Sequence, residues 1–142
     1  MKTRTVLIDA GANVGTSFSY WLKWGWDINI DLAACDFILI EPNKSCNPYL
    51  LEIEKQWKKS CPPCQVNRKV TILNKALSSK DESTILYAEE GHLEDQVDCS
   101  IIEKHNSGTH GLRVPVGETE CVDISRFLKN LSENYKNIYM KL

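Results

Sequence analysis

Val6-Leu7-Ile8-Asp9-Ala10-Gly11-Ala12-Asn13-Val14-Gly15-Thr16 is the stretch whose reading decides the fold. Three successive apolar residues show no polar alternation, as in a parallel strand covered on both faces. They run into a carboxylate, Asp9. A loop of small residues follows, and an amphipathic segment starts at Thr16, with Phe18, Trp21 and Leu22 on one stripe. A strand turning through such a loop into a helix lets a ligand touch backbone at the helix start.

Working outward, Phe37, Ile38, Leu39, Ile40 and Glu41 repeat the theme of an apolar strand ending in an acid. Pro42 stops that strand. A second helix is expected from Asn47, with Asn47 as its cap and Pro48 at the first helical position, where no amide hydrogen is needed. Tyr49, Leu50, Ile53 and Trp57 form its expected buried stripe. Val70–Asn74 reads as a third strand. Thr84–Ala88 reads as a strand with a mixed face. Leu112–Val116 and Glu118–Val122 alternate as two half-exposed antiparallel strands do. Asp123 is expected to cap a short helix over Ile124–Leu131, with Phe127 and Leu128 facing inward. Asn137–Leu142 closes the series as a last strand.

Strands alternating with helices define an α/β architecture: a Rossmann-like parallel sheet with helices on both faces, plus a small antiparallel excursion. Four main strands make half of the usual doubly wound sheet. The 142 residues suit a single domain, 1–142. A net charge of −2 gives no basic field for nucleic acid. No apolar run reaches the length of a membrane span. Met1 leads almost directly into a strand, so no signal peptide is read and a cytoplasmic location is expected. With no such signal, the six cysteines are expected to be free thiols.

The chemistry concentrates at the two strand tips. Gly11 and Gly15 permit close approach of a ligand to backbone. Asn13 stands where the dinucleotide fingerprint wants its second glycine, which disfavours a pyrophosphate cradle. The loop suits instead a ligand with a zwitterionic amino-acid end. Asp9 would hold its ammonium and the helix start its carboxylate. Glu41 is placed to accept hydrogen bonds from both ribose hydroxyls of a nucleoside-type ligand.

Ile8 to Gly15 and Ile40-Glu41-Pro42-Asn43 resemble the first two motifs of S-adenosylmethionine-dependent methyltransferases with the class I Rossmann-like fold, and more narrowly the FkbM-like family. Asn74-Lys75-Ala76-Leu77 is similar to the family's segment after the third strand. Val114 to Leu128 is similar to its strand-then-helix segment, and Ile138 to Leu142 to the start of its Lys-x-Asp-x-Glu-Gly block. The resemblance implies that Asp9, Gly11, Ala12, Asn13 and Gly15 surround the methionine part of S-adenosylmethionine. It implies that Glu41 binds the ribose, with Pro42 and Asn43 shaping that wall, and that Ala76 lies near adenine. It also implies O-methylation of a hydroxyl on a sugar or other small-molecule acceptor, with no catalytic residue assigned. Because the block breaks off at Leu142, the chain is expected to be the cofactor half of such a domain, incomplete on its C-terminal side. The competing expectation is a non-catalytic half-domain that binds the cofactor weakly or serves as an interaction module. An incomplete sheet leaves the fourth strand's edge open, and self-association is expected there.

Other features read more simply. Cys61-Pro-Pro-Cys64 has the spacing of a redox or zinc motif but follows a helix, and is expected to be an inert loop, or a local disulfide under oxidation. His92, His105 and His110 fall in a polar stretch and are expected at the surface. Trp21, Trp24, Trp26 and Trp57 are expected to pack rather than to stack on a ligand. No metal site is expected.

Overall fold

A computed structural model describes residues 4–24, 34–60, 68–89, 99–101 and 113–142. The expectations for Trp26, Cys61, Cys64 and the three histidines lie outside those residues.

The apolar runs build the first sheet. Strands β1 (Thr5–Ala10), β2 (Cys35–Ile40), β3 (Val70–Leu73) and β8 (Asn137–Lys141) are all parallel, in the order β3-β2-β1-β8. Val6, Leu7, Ile8 and residues 37–40 are buried, so both faces of the two central strands are covered. Helices α1 (Thr16–Trp24) and α2 (Asn47–Ser60) cover one face. There Leu7, Phe37 and Leu39 meet Phe18, Trp21 and Leu50, with Ile53 and Trp57 packed against them. Phe18 and Phe37 meet edge to face at 4.7 Å, a favoured ring geometry. Helix α3 (Ile124–Ser132) covers the other face, setting Phe127, Leu128 and Leu131 against Val6, Ile8, Ile38 and Ile40. Phe127 and Leu128 therefore face inward as expected. The chain is a mixed α/β protein whose four-stranded parallel sheet is flanked by helices.

The second sheet contains β4 (Ala76–Ser78), β5 (Glu82–Glu89), β6 (Cys99–Ser100) and β7 (Arg113–Asp123), in the order β4-β7-β5-β6. β5 runs antiparallel to β7 and β6, while β4 runs parallel to β7. Two strands were expected in place of β7. The chain instead runs through Pro115 and Gly117 as one strand. Leu86 faces Gly117 and Tyr87 faces Pro115, so Val116 is the extra residue of a bulge. β4 reaches only Cys121–Asp123 of β7. Among the described residues no strand pairs with β7 at Pro115 on the side away from β5, so the missing amide hydrogen breaks no ladder bond with β4.

The start of α2 also differs from expectation. Asn43, not Asn47, is the capping residue. It caps a single 3-10 turn, Lys44–Cys46, by accepting from the Ser45 amide at 3.0 Å. Asn47 is already helical, with φ −57° and ψ −42°. Tyr49 leaves the expected stripe and is exposed, because Leu50, Ile53 and Trp57 alone follow the helical spacing that faces the sheet. Asp123 caps α3 as expected, accepting from the Arg126 amide at 3.0 Å.

At the end of the sheet away from the glycine loop, buried Asp36 ties three segments together. It accepts from Arg4, from the Lys69 amide and from the Tyr135 hydroxyl at 2.6, 2.9 and 2.8 Å. Burial, followed by that bond to Asp36, pushes the Tyr135 hydroxyl up to about 12. Cys46 and Cys121 are free thiols. Among the described residues, no helix is long and apolar enough to cross a membrane.

Candidate functional site

The loop after β1 is wound tightly. Gly11, Asn13 and Gly15 all have positive φ, at 78°, 50° and 83°. Asparagine tolerates this region better than most side chains, which accounts for Asn13. The two glycines serve different ends. Among the described residues, a Cβ on Gly11 would meet nothing within 4 Å. A Cβ on Gly15 would overlap Ile53 Cδ1 of α2 and touch Leu50. Gly11 therefore borders open space, while Gly15 lets α2 pack against the loop.

Every amide from Gly11 to Gly15 already has an acceptor within the chain. Gly11 and Ala12 both donate to the Ile40 carbonyl, at 2.9 and 3.0 Å. Asn13 donates to Glu41 Oε2 at 2.8 Å, and Val14 to Asn13 Oδ1 at 2.7 Å. Gly15 donates to the Ala12 carbonyl at 2.8 Å. Glu41 Oε1 accepts from the Asn43 amide, also at 2.8 Å. The Glu41 carboxylate thus clamps the loops that leave β1 and β2. Two of its roughly four lone-pair sites are used.

Glu41 is buried, and burial pushes its pKa above the ordinary carboxylate range. The Asn43 and Asn13 amides oppose that rise, and the nearby Asp9 charge adds to it. Cys46 backs the clamp, with Sγ 3.8 Å from Asn13 Oδ1. Burial, then the Glu41 charge, pushes the Cys46 thiol up to about 11, so it is protonated at neutral pH.

Asp9 is fully buried at the tip of β1. Its Oδ1 accepts from Lys141 Nζ at 2.8 Å, and the two residues stand opposite each other across β1 and β8. Its Oδ2 is buried with no hydrogen-bond partner among the described residues. Burial pushes the Asp9 pKa up, while the bond to Lys141 and its charge pull it down.

A cavity of about 260 Å³ lies at the strand tips. Gly11, Glu41, Pro42 and Ala76 line it, joined by the apolar Ala10, Ile40 and Leu77. Four of the nine residues expected to bind a cofactor therefore share one cavity wall. The other five lie outside that lining. Ala12 belongs to the buried core, and Asn43 to the capping turn. Asn13 and Gly15 shape the loop. Asp9 is on the α1/α2 face, in step with Leu7, whereas Ala10 and Ile40 of the cavity are in step with Ile8 on the α3 face. Glu41 continues the alternation of Phe37 and Leu39 on the α1/α2 face, and the Asp9 charge acts on it, so the two acids stand near each other at the strand tips. Lys141 was assigned no role from sequence. Only the β1–β8 register reveals it as the partner of Asp9.

Among the described residues, no group of three or more His, Cys, Asp or Glu side chains is placed to hold a metal ion. Fold and site define an α/β protein, compatible with a Rossmann-like fold, with a glycine-bordered, acid-clamped cavity at the carboxyl ends of its parallel strands. Comparison with protein-family models, curated proteins and solved structures finds no match.

Proposed function

We propose that this chain binds S-adenosylmethionine at the strand tips, as a cofactor-binding domain of a methyltransferase of the FkbM-like kind. One observation carries the reading: Gly11, Glu41, Pro42 and Ala76, drawn from three separate segments of the chain, border a single cavity. The strand order β3-β2-β1-β8 is also half of a doubly wound sheet, whose ligands sit outside the carboxyl ends of the strands.

The residues present fit such a ligand. Glu41 keeps lone pairs for ribose hydroxyls after serving the Asn13 and Asn43 amides. Ala10, Ile40, Ala76 and Leu77 offer an apolar wall to a base. The unpartnered Asp9 Oδ2 has capacity for an ammonium. When bound, S-adenosylmethionine supplies an electrophilic methyl group on a sulfonium. The chain's part is to fix the donor, since alignment supplies much of the rate of an in-line displacement. The acceptor proposed is a hydroxyl on a sugar or other small molecule.

Calorimetry with S-adenosylhomocysteine and with NAD tests this reading. Saturable binding of the first alone is expected. Binding of NAD alone, or of neither, overturns it.

A further inference from the structure

The parallel sheet supplies only part of the cavity at the strand tips. Ala10 and Ile40 come from β1 and β2, but Ala76 and Leu77 belong to β4, and Cys99 and Ile101 come from β6 and the residue just after it. β4 and β6 are the two outer strands of the second sheet. A ligand in the cavity therefore meets the first sheet and both edges of the second. Register shows which face of the second sheet it meets. Cys99 stands opposite Ala88, so their side chains project from the same face. Leu86, two residues before Ala88, shares that face, and both Leu86 and Ala88 are buried. Ile85 is out of step with them and is 43% exposed on the other face. The cavity thus lies against the inner face of the second sheet, where Cys99 and Ile101 are half-buried. Among the described residues β6 pairs with β5 alone, over two residues. So short a ladder contributes few hydrogen bonds, and a strand held this way opens at low cost unless something packs against it.

We propose that the second sheet is the cover of the binding site, with Cys99 and Ile101 lying over the flat base of the ligand and Ile101 setting the affinity for it. This rests on the proposed cofactor reading and deepens it, by giving a role to a segment outside those that carry the family resemblance. The base bridges the two sheets, with the apolar ends of β1 and β2 on its first-sheet side and Ile101 on its second-sheet side. Ile101 then buries its side chain against a ring instead of facing water, which favours the bound state in proportion to the apolar area removed. Binding ties β6 to the first sheet through the ligand. The same contact shields the Cys99 thiol, which lines the cavity beside Ile101.

Two readouts with S-adenosylhomocysteine test this. In the first, the unaltered chain is treated with iodoacetamide, and alkylation of Cys99 is followed by mass spectrometry of its peptide. Saturating ligand is expected to slow that alkylation at least about fivefold. In the second, calorimetry compares variants. Ile101→Ala is expected to weaken binding about fivefold or more, through the lost apolar contact. Ile101→Val, which keeps most of that contact, is expected to stay within about threefold, and Ile85→Ala, on the opposite face, within about twofold. Ligand binding that leaves the alkylation of Cys99 undiminished overturns the inference without needing any variant. Ile101→Ala within about twofold of the parent overturns it as well, and so does an equal loss in Ile85→Ala. Those results leave the cofactor reading standing, whereas failure of the unaltered chain to bind S-adenosylhomocysteine overturns that reading itself.

Discussion

Gly15→Ala is expected to destabilise the fold through two separable causes. The residue has φ +83°, a conformation that costs an alanine about 1–2 kcal/mol. Its new Cβ would also overlap Ile53 Cδ1 and lie against Leu50, and overpacking of this sort costs about 1–3 kcal/mol. The total is about 2–5 kcal/mol. Urea unfolding followed by tryptophan fluorescence reads it, since Trp21 and Trp57 lie in or against the core on that face. Ile53→Ala removes the overlapping methyl and leaves the backbone unchanged. In that background Gly15→Ala should cost only the backbone part, about 1–2 kcal/mol, so the double-mutant cycle should show favourable coupling of about 1–3 kcal/mol. Gly11→Ala, with nothing near its Cβ, should cost the backbone part alone and show no coupling to Ile53. A Gly15→Ala variant within about 0.5 kcal/mol of the parent, or an equal cost with and without Ile53, would refute the assignment of Gly15 to helix packing.

Other outcomes follow from the same geometry. Glu41→Gln removes a carboxylate that burial holds above its ordinary pKa. An acid whose pKa is raised on folding stabilises the fold below its unfolded value near 4 and loses that stabilisation as pH rises through the folded value. The stability penalty of Glu41→Gln should therefore shrink between acid and neutral pH, and a penalty that grows with pH in urea titrations would contradict this. Tyr135→Phe should remove a loss of stability that the parent shows as pH rises from about 10 to about 12, read by alkaline unfolding. Asp123→Ala should cost about 1 kcal/mol by leaving the Arg126 amide without its cap, read by thermal or urea unfolding. Within the first sheet β8 pairs with β1 alone among the described residues, so sedimentation should show association that rises with concentration, and a single monomeric species throughout would count against an adhesive edge.

The parallel sheet was legible because burial on both faces writes itself as unbroken apolar runs at Val6–Ile8 and Phe37–Ile40. The cap at Asp123 was legible because capping is local chemistry. Features set by long-range register were not. Lys141 meets Asp9 only because β8 lies beside β1, and no local pattern announces that. The packing role of Gly15 was not legible either, because sequence cannot show that Ile53 sits behind it. Two strands were expected on either side of Gly117 because each segment alternates by itself, whereas a bulge at Val116 lets the chain run on as one strand. Asn43 capped in place of Asn47 because its turn begins one 3-10 step earlier, and both asparagines carry the same local signal.

An NMR titration with S-adenosylhomocysteine tests the central claim most directly. Saturable shifts are predicted at the amides of Gly11, Glu41, Ala76 and Leu77, which come from three segments, distant in sequence, that meet at the cavity. Shifts confined to the separate groove of Lys44, Ser83 and Glu118, or no saturable shift anywhere, would contradict it.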